Sequence, residues 1–203
     1  MNKYIGIDLG TSSIKAILCD SLGNVLCEAS REYELISPKE LYFEQDPKIW
    51  FSCMLEILKE ITKNEKIIRG ISFSGQMHGL VILDKNDEPI RNCILWNDSR
   101  STLETNYLNE EIGKDRLISY TRNIAYPGFT APKLLWVKNN EPDNFKKISK
   151  IMLPKDYLAY KLSGIFATDY SDASGTLFLD VKNKCYSKEM LDICKINANM
   201  LPK

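Results

Sequence analysis

The sequence contains a single histidine, His78, and its six cysteines include no Cys-x-x-Cys pair. A metal site built from several histidines is therefore excluded. A Ser-His-Asp site would have to use His78 itself, because no second histidine exists. The cysteines lie mostly in apolar segments, as small buried hydrophobic residues do, and we expect all six to be reduced.

An excess of charge of either sign is also missing, because lysine plus arginine and aspartate plus glutamate both number 27. Without a basic excess, the composition offers no electrostatic footprint for nucleic acid or an anionic membrane. The sequence has no apolar run long enough for a signal peptide or a membrane span. We therefore expect a cytoplasmic protein with no nucleic-acid or membrane partner, in which any affinity for phosphate is local.

Internal repeats, low-complexity tracts and linkers rich in proline, glycine and serine are likewise absent from the 203 residues. Hydrophobic residues make up 44% of the chain and charged residues 27%, as is typical of globular proteins. The length is sufficient for one hydrophobic core. We predict a single domain over residues 1–203.

The first third of the chain predicts an α/β fold. Apolar runs separated by turn residues indicate an antiparallel meander of three strands at residues 4–7, 14–19 and 25–33. Asp46 and Pro47 are typical of a helix start, and apolar residues then recur at spacings of three and four. A strand at 67–74 completes the order β-β-β-α-β, which indicates a ribonuclease H-like domain. We expect a mixed core sheet of five strands.

Further elements follow along the rest of the chain. Two short strands at 80–83 and 89–96, joined by a polar turn, predict a satellite hairpin over the core. Apolar periodicity predicts helices at 98–111, 131–150 and 157–162. Short strands are predicted at 166–168 and 177–181, and Ser187 caps a last helix that reaches Cys194.

A small polar turn lies between the first two predicted strands, in the segment Asp8-Leu9-Gly10-Thr11-Ser12-Ser13. Backbone N–H groups and hydroxyls in such a turn can face an anion, and Asp8 can offer an oxygen to hydrated Mg²⁺. The alternative is an ordinary β-hairpin with a polar tip. A P-loop is excluded, because the pattern Gly-x-x-x-x-Gly-Lys-[Ser/Thr] is absent.

A second polar cluster, Gln76-Met77-His78, lies between two glycines at the carboxyl end of the strand predicted at 67–74. Ligands of α/β proteins collect at such strand ends. The flanking glycines let the backbone approach a small ligand, Gln76 and His78 offer hydrogen bonds, and Met77 offers an apolar contact. The alternative is a glycine-rich turn with a purely structural histidine.

A third cluster combines an aromatic ring with polar groups: Trp96, Asn97, Asp98 and Arg100. A ring that covers the C–H face of a sugar, beside side chains that bind its hydroxyls, is expected in a small polar site. The alternative is a helix start capped by Asn97 or Asp98, and both interpretations can hold together.

Three more segments have polar groups at element ends. In the run 127–137 we predict Leu134, Trp136 and Val137 to be core residues, whereas the pattern leaves the place of Lys133 open. The runs 153–158 and 171–176 are explained equally well by helix capping.

The six segments together resemble the amino-terminal domain of the FGGY carbohydrate kinases, in order and spacing, from residue 4 to residue 203. Within this family the chain most resembles the xylulokinases, because glycerol kinases carry an Arg-Glu pair at the positions of Met77 and His78. The resemblance implies an actin-like ATPase fold, with two ribonuclease H-like domains around a cleft. It places the sugar against the first domain and ATP mostly on the second.

The resemblance also implies what this chain does not contain. The family's catalytic base is an aspartate at the start of the second domain, beyond Lys203, and the adenine site lies there too. We therefore expect an amino-terminal, sugar-binding domain without its carboxy-terminal ATP domain, inactive alone, from a truncated or split kinase. A cleft face left exposed in this way would favour self-association, for example as a homodimer.

In the complete kinase, the reaction implied is transfer of the γ-phosphoryl group of ATP to the terminal hydroxyl of D-xylulose. Asp8 would hold Mg²⁺ through water, and the γ-phosphate cradle would comprise Gly10, Thr11, Ser12 and Lys15. Met77 and His78 would hold the sugar, together with Gln76, Trp96, Asn97, Asp98 and Arg100. The competing hypothesis is a non-catalytic actin-like module that binds a sugar or phosphate and acts through a partner.

Overall fold

Ten strands and eight helices are present in the computed structural model, which describes residues 1–203. The strands are β1 (Lys3–Leu9), β2 (Ser13–Asp20), β3 (Val25–Glu32), β4 (Glu44–Gln45), β5 (Gly70–Gly75), β6 (Val81–Leu83), β7 (Cys93–Ile94), β8 (Lys150–Met152), β9 (Leu179–Asp180) and β10 (Cys185–Tyr186). The helices are α1 (Pro47–Ile61), α2 (Thr102–Asn106), α3 (Lys114–Thr121), α4 (Thr130–Asn140), α5 (Pro142–Phe145), α6 (Pro154–Ser163), α7 (Tyr170–Ser174) and α8 (Lys188–Cys194). A π-helical segment, Tyr107–Gly113, joins α2 to α3.

The main sheet has four strands in the order β3-β2-β1-β5, with β1 antiparallel to β2 and parallel to β5. The predicted meander and the following parallel strand are confirmed, but the prediction of five strands is wrong. After β5 the chain turns sharply at His78, which has a left-handed φ of 61°. The next strand, β6, therefore leaves the sheet and pairs with β8.

The two faces of the sheet differ in burial. Ile5, Ile7 and Leu9 alternate toward one face, where they are at most 3% exposed. Helix α1 covers this face with Trp50 and other apolar side chains of the same core, Met54 and Ile57. Asp8 therefore points to the opposite face, because side chains alternate along a strand.

A second hydrophobic core lies beside the first, between β6, β8 and the helices α3, α4 and α8. Strand β6 belongs to both, since Val81 and Leu83 pack into the first core and Ile82 into the second. The predicted satellite hairpin is present only as two isolated bridges, Leu80 to Ile94 and Leu83 to Pro89. Both of its arms form their regular pairs elsewhere, β6 with β8 and β7 with β4.

Several predicted element bounds change in the structure. The helix predicted at 98–111 begins at Thr102 and becomes π-helical at Tyr107. The helix predicted at 131–150 is divided into α4, α5 and β8, because Pro142 starts a new short helix. Residues 166–168 form no strand but exchange backbone hydrogen bonds with Lys203. Gly164 ends α6 in a left-handed conformation and Ser187 caps α8, both as predicted.

All six cysteines are free thiols. Cys93 and Cys194 are buried, as expected, but Cys27 and Cys185 are exposed, so the expectation of buried thiols fails for these two. Separately, none of the helices combines the length and apolar character needed to cross a membrane.

The cap of α1 gives a direct test of this helix. The Asp46 carboxylate accepts a hydrogen bond from the backbone N–H of Lys48 at 2.9 Å. Because an N-cap oxygen satisfies an otherwise unpaired donor, Asp46→Ala should lower the free energy of unfolding by about 1 kcal/mol. Asp46→Asn keeps a capping oxygen and should lose only a fraction of that in urea unfolding. Equal losses in the two variants would contradict the capping role.

Candidate functional site

The turn between β1 and β2 is closed by its own backbone. The Gly10 N–H donates to the Ser13 carbonyl at 2.9 Å, and the Tyr33 hydroxyl donates to the Gly10 carbonyl at 2.5 Å. Burial raises the pKa of the Tyr33 hydroxyl, which therefore stays protonated and able to donate. The backbone N–H groups of Thr11 and Ser12 donate to no acceptor within the chain. The tip of the turn thus presents two free amide donors.

Asp8 lies at the end of β1, exposed, on the face of the sheet that α1 leaves open. The strand register places it beside Lys15 on β2 and Ser74 on β5. These residues line one shallow groove of about 280 Å³ together with Gly6 and Ser72. The Lys15 ammonium pairs with Glu28 at 2.8 Å, with both side chains about half exposed. Such surface pairs are weak, so the ammonium can exchange partners.

The donor set around Asp8 suits one kind of metal complex. No group of three or more histidine, cysteine, aspartate or glutamate residues is arranged to hold a metal ion. A protein cage for a metal is therefore absent around Asp8. Mg²⁺ usually keeps several waters and is bound by one or two carboxylates plus phosphate oxygens. One exposed carboxylate beside the two free amides of the turn fits that requirement.

A buried glutamine, Gln45, connects the turn to the second polar cluster. Its Nε2 donates to the Thr11 carbonyl at 2.6 Å, and its Oε1 accepts from Gln76 Nε2 at 3.1 Å and from Trp50 Nε1 at 3.2 Å. Gln45 is 1% exposed. Because buried amides are costly to leave unpaired, these bonds hold the two loops in a defined relation.

His78 is fixed by contacts to both its backbone and its ring. Its carbonyl accepts from Lys133 Nζ at 3.0 Å and from Thr130 Oγ1 at 3.2 Å. Its ring packs on Phe129, with the centroids 4.7 Å apart, and its buried Nδ1 has no partner. Burial and the nearby charge of Lys133 lower the pKa of His78, which favours the neutral imidazole.

The third cluster divides into an open part and a closed part. Trp96 is 42% exposed and its Nε1 donates to Thr11 Oγ1 at 3.0 Å, so it lies directly beside the turn. Asn97 has a buried Oδ1 without a partner. Trp96 is thus in direct contact with the turn, and Asn97 follows it in the same loop.

Asp98 and Arg100 form the closed part. Asp98 accepts from the Arg100 side chain at 2.8 and 2.9 Å and from the Phe43 N–H at 2.6 Å. The Arg100 guanidinium also pairs with Glu44 at 2.7 Å and lies near the rings of Tyr42 and Trp136. Both side chains are at most 7% exposed. The side chains of Asp98 and Arg100 form their hydrogen bonds within the chain. These bonds stabilise the loop that carries Trp96.

The remaining segments also pack around the site. Leu134 and Val137 are buried core residues, as predicted, while Trp136 is only partly buried. Lys155 forms ion pairs with Asp156, Asp169 and Asp172 at 2.7 to 3.1 Å, which joins the segments 153–158 and 171–176. Gly175, in the second of these segments, lies against His78. A Cβ atom on Gly175 would lie 2.2 Å from Cε1 of the histidine ring.

The structure thus brings most of the predicted residues together, and it adds some that sequence reasoning missed. Gln45 and Tyr33 carried no motif that could have revealed their contacts with the turn. The pattern of its run leaves the place of Lys133 open, and the structure buries it fully. Its hydrogen bond to the Gly128 carbonyl, at 2.6 Å, ties a further loop to the site.

Gly175→Ala tests whether the His78 ring packs against Gly175. The added methyl group would overlap the ring, so we expect the ring to move and its Cε1–H signal in the NMR spectrum to shift. Because His78 is the only histidine, this signal needs no assignment. Ser174→Ala is the matched control and should leave the signal in place. An unchanged signal in Gly175→Ala would show that the His78 ring does not pack against Gly175.

The burial of Lys133 predicts a pH dependence of stability. Desolvation lowers the pKa of Lys133 from 10.5 to about 7. Between those two values the unfolded chain holds a proton that the folded chain has released, so the free energy of unfolding rises with pH. Urea unfolding of wild type and Lys133→Met at several pH values should show this rise only in the wild type. If the free energies of unfolding of the two proteins changed in parallel with pH, the lowered pKa of Lys133 would be contradicted.

Comparisons with known proteins show the family to which the chain belongs. The model of the FGGY family of carbohydrate kinases, N-terminal domain, matches residues 3–203. A xylulose kinase of Lactococcus lactis is 45% identical over 207 residues, which cover 100% of this chain and 41% of that protein. The chain therefore spans about two fifths of the length of this curated relative.

Solved structures match over the whole chain as well. A ligand-bound xylulose kinase from Lactobacillus acidophilus superimposes with a TM-score of 0.94 at 33% identity, covering 100% of this chain and 42% of that one. A gluconate kinase from the same species gives the same TM-score and identity over 41% of its own chain. Kinases named for different substrates thus share this fold. The chain belongs to the FGGY family of carbohydrate kinases and matches the N-terminal domain of that family.

Proposed function

We propose that this chain is the sugar-binding part of an ATP-dependent kinase that phosphorylates D-xylulose to xylulose 5-phosphate. The observation that carries this proposal is the hydrogen bond from Trp96 Nε1 to Thr11 Oγ1, at 3.0 Å. It joins the turn suited to a phosphate group directly to the cluster suited to a sugar. Phosphoryl transfer depends mainly on positioning and charge stabilisation, and it needs these two sites side by side.

On the phosphate side, Thr11 and Ser12 would donate their free amides to oxygens of the γ-phosphate. Gly10 keeps the turn tight, since a Cβ there would lie 3.0 Å from the Ser13 carbonyl oxygen. Lys15 would add a positive charge after leaving Glu28. Asp8 would hold Mg²⁺ through water, and Mg²⁺ would neutralise phosphate charge.

On the sugar side, unpaired polar atoms support a ligand site. Gln76 Oε1, His78 Nδ1 and Asn97 Oδ1 are buried without hydrogen-bond partners. Native proteins leave few such groups unpaired, because each costs free energy. The family resemblance implies sugar contacts for all three residues. The exposed side chains of Met77 and Trp96 would supply the apolar contacts to the C–H groups of the sugar.

The reaction requires a proton acceptor that we place outside this chain. The sugar hydroxyl oxygen would form a bond to the γ-phosphorus as the bond to the ADP oxygen breaks, and the hydroxyl proton would pass to a base. We infer that this base and most of the ATP site lie in a second domain, as the length of the relatives supports. Closure of two domains would exclude water from the cleft and so suppress ATP hydrolysis.

The decisive assay follows D-xylulose phosphorylation by this chain alone and by this chain fused to the C-terminal part of the Lactococcus lactis xylulose kinase. We expect turnover only in the fusion. Asp8→Asn in the fusion should reduce kcat on the order of 100-fold, because a preorganised charge beside the phosphate is lost. The chain alone should bind D-xylulose only weakly, in roughly the millimolar range.

Asp143→Asn is the matched control, since the Asp143 side chain is 86% exposed on α5 and far in sequence from the turn. It should leave kcat unchanged. Turnover by the isolated chain would contradict our placement of the base. Faster phosphorylation of gluconate or glycerol by the fusion would contradict the assignment of the sugar while leaving the kinase reaction intact.

A further inference from the structure

We propose that Lys133 is a positioning residue of the candidate sugar site, whose buried amino group clamps the loop of His78 to the loop of Gly128. The role of Lys133 in sugar binding rests on the proposed function. The clamp itself rests on geometry alone. Lys133 was the residue whose place the sequence left open.

The geometry of the clamp is specific. Lys133 Nζ donates to the Gly128 carbonyl at 2.6 Å and to the His78 carbonyl at 3.0 Å, from the second turn of α4. The first turn of the same helix adds a hydrogen bond from Thr130 Oγ1 to the His78 carbonyl at 3.2 Å. Helix α4 therefore holds the peptide that follows His78 with two donors.

The two clamped loops are those that carry the sugar-site side chains. His78 has a φ of 61°, a left-handed conformation that is unfavourable for a residue with a Cβ. Such conformations persist only where the surroundings enforce them. The other loop packs closely on the third cluster, because a Cβ on Gly128 would lie 2.7 Å from the Trp96 carbonyl oxygen. The amino group of Lys133 thus fixes the position of His78 relative to Trp96.

Ordinary packing does not explain a lysine at this position. The side chain is 0% exposed and forms no ion pair, and a buried charge without a counter-ion is costly. Among the charged and titratable groups that act on it, Asp98 and Cys93 favour its protonation and Arg100 opposes it. A leucine or methionine would fill the same volume at lower cost. The position therefore requires the hydrogen-bond donors.

Lys133 also affects the protonation state of the His78 ring. Two charged groups face this ring, Lys133 from α4 and Asp172 from α7, and they act in opposite directions. The positive charge of Lys133 adds to burial in lowering the pKa of His78, whereas Asp172 raises it. Lys133 thereby favours a neutral imidazole, which has both a donor and an acceptor for sugar hydroxyl groups.

The test is an NMR titration of the single histidine in the 203-residue chain, without any ligand. We expect the His78 Cε1–H signal of wild type to titrate below the ordinary pKa of 6.5. In Lys133→Met the midpoint should shift upward, because the opposing charge is gone and the loop is released. The signal should also move at a pH where both proteins hold a neutral ring.

Two variants on α4 separate the clamp from general destabilisation. Leu134→Ala removes a fully buried core side chain, so it should lower the melting temperature without shifting the His78 midpoint. Lys138→Met removes a partly exposed lysine charge further along the helix and should change neither. The clamp is overturned if Lys133→Met leaves both signal and midpoint unchanged, or if Leu134→Ala shifts the midpoint equally.

Kinetic assays of the fusion test the proposed function separately from the His78 titration. In the fusion with the second kinase domain, Lys133→Met should raise KM for D-xylulose by more than it lowers kcat, because it displaces a binding loop. If the fusion phosphorylates no sugar, the proposed function fails while the His78 titration still decides the clamp. A shifted midpoint with an unchanged KM would overturn the role of the clamp in the sugar site.

Discussion

The buried amide of Gln45 is the interaction on which the candidate site depends. It binds the Thr11 carbonyl, the Gln76 side chain and the Trp50 indole, which belong to the turn, the loop after β5 and helix α1. Because an amide in the core is stable only with its partners in place, these three segments have one favourable arrangement. The indole of Trp96 then completes the contact at Thr11. The turn and the loop that carries Trp96 become neighbours as a result.

Close approach of loops is the second constraint on the site. Gly128 lies against the Trp96 backbone, and Gly175 leaves the space that the His78 ring occupies. Gly79 lies against Pro154 and Cys93, where a Cβ would be 2.5 and 3.0 Å away. At each position a side chain would push apart two loops that carry site residues. Gly128 lets two backbones approach, whereas Gly79 and Gly175 leave room for side chains of other segments.

The face of the main sheet that α1 does not cover carries the groove around Asp8. Asp8 and Lys15 lie there in a shallow groove, while the opposite face is buried by α1. A groove open on one side holds a small ligand weakly, since affinity depends on enclosing surface. The relatives that match this chain are more than twice as long.

The sequence by itself determined the β-β-β-α-β order, the cap of α1 and the polar turns at strand ends, because these depend on local spacing and backbone preference. Tertiary structure decided the number of sheet strands, since the turn at His78 directs β6 to a partner nearly 70 residues away in β8. It also decided the hydrogen-bond partners of the polar residues. Asp98 and Arg100 have the residue types of a sugar site but pair with each other, whereas Gln45 and Lys133 gain their roles only from distant partners.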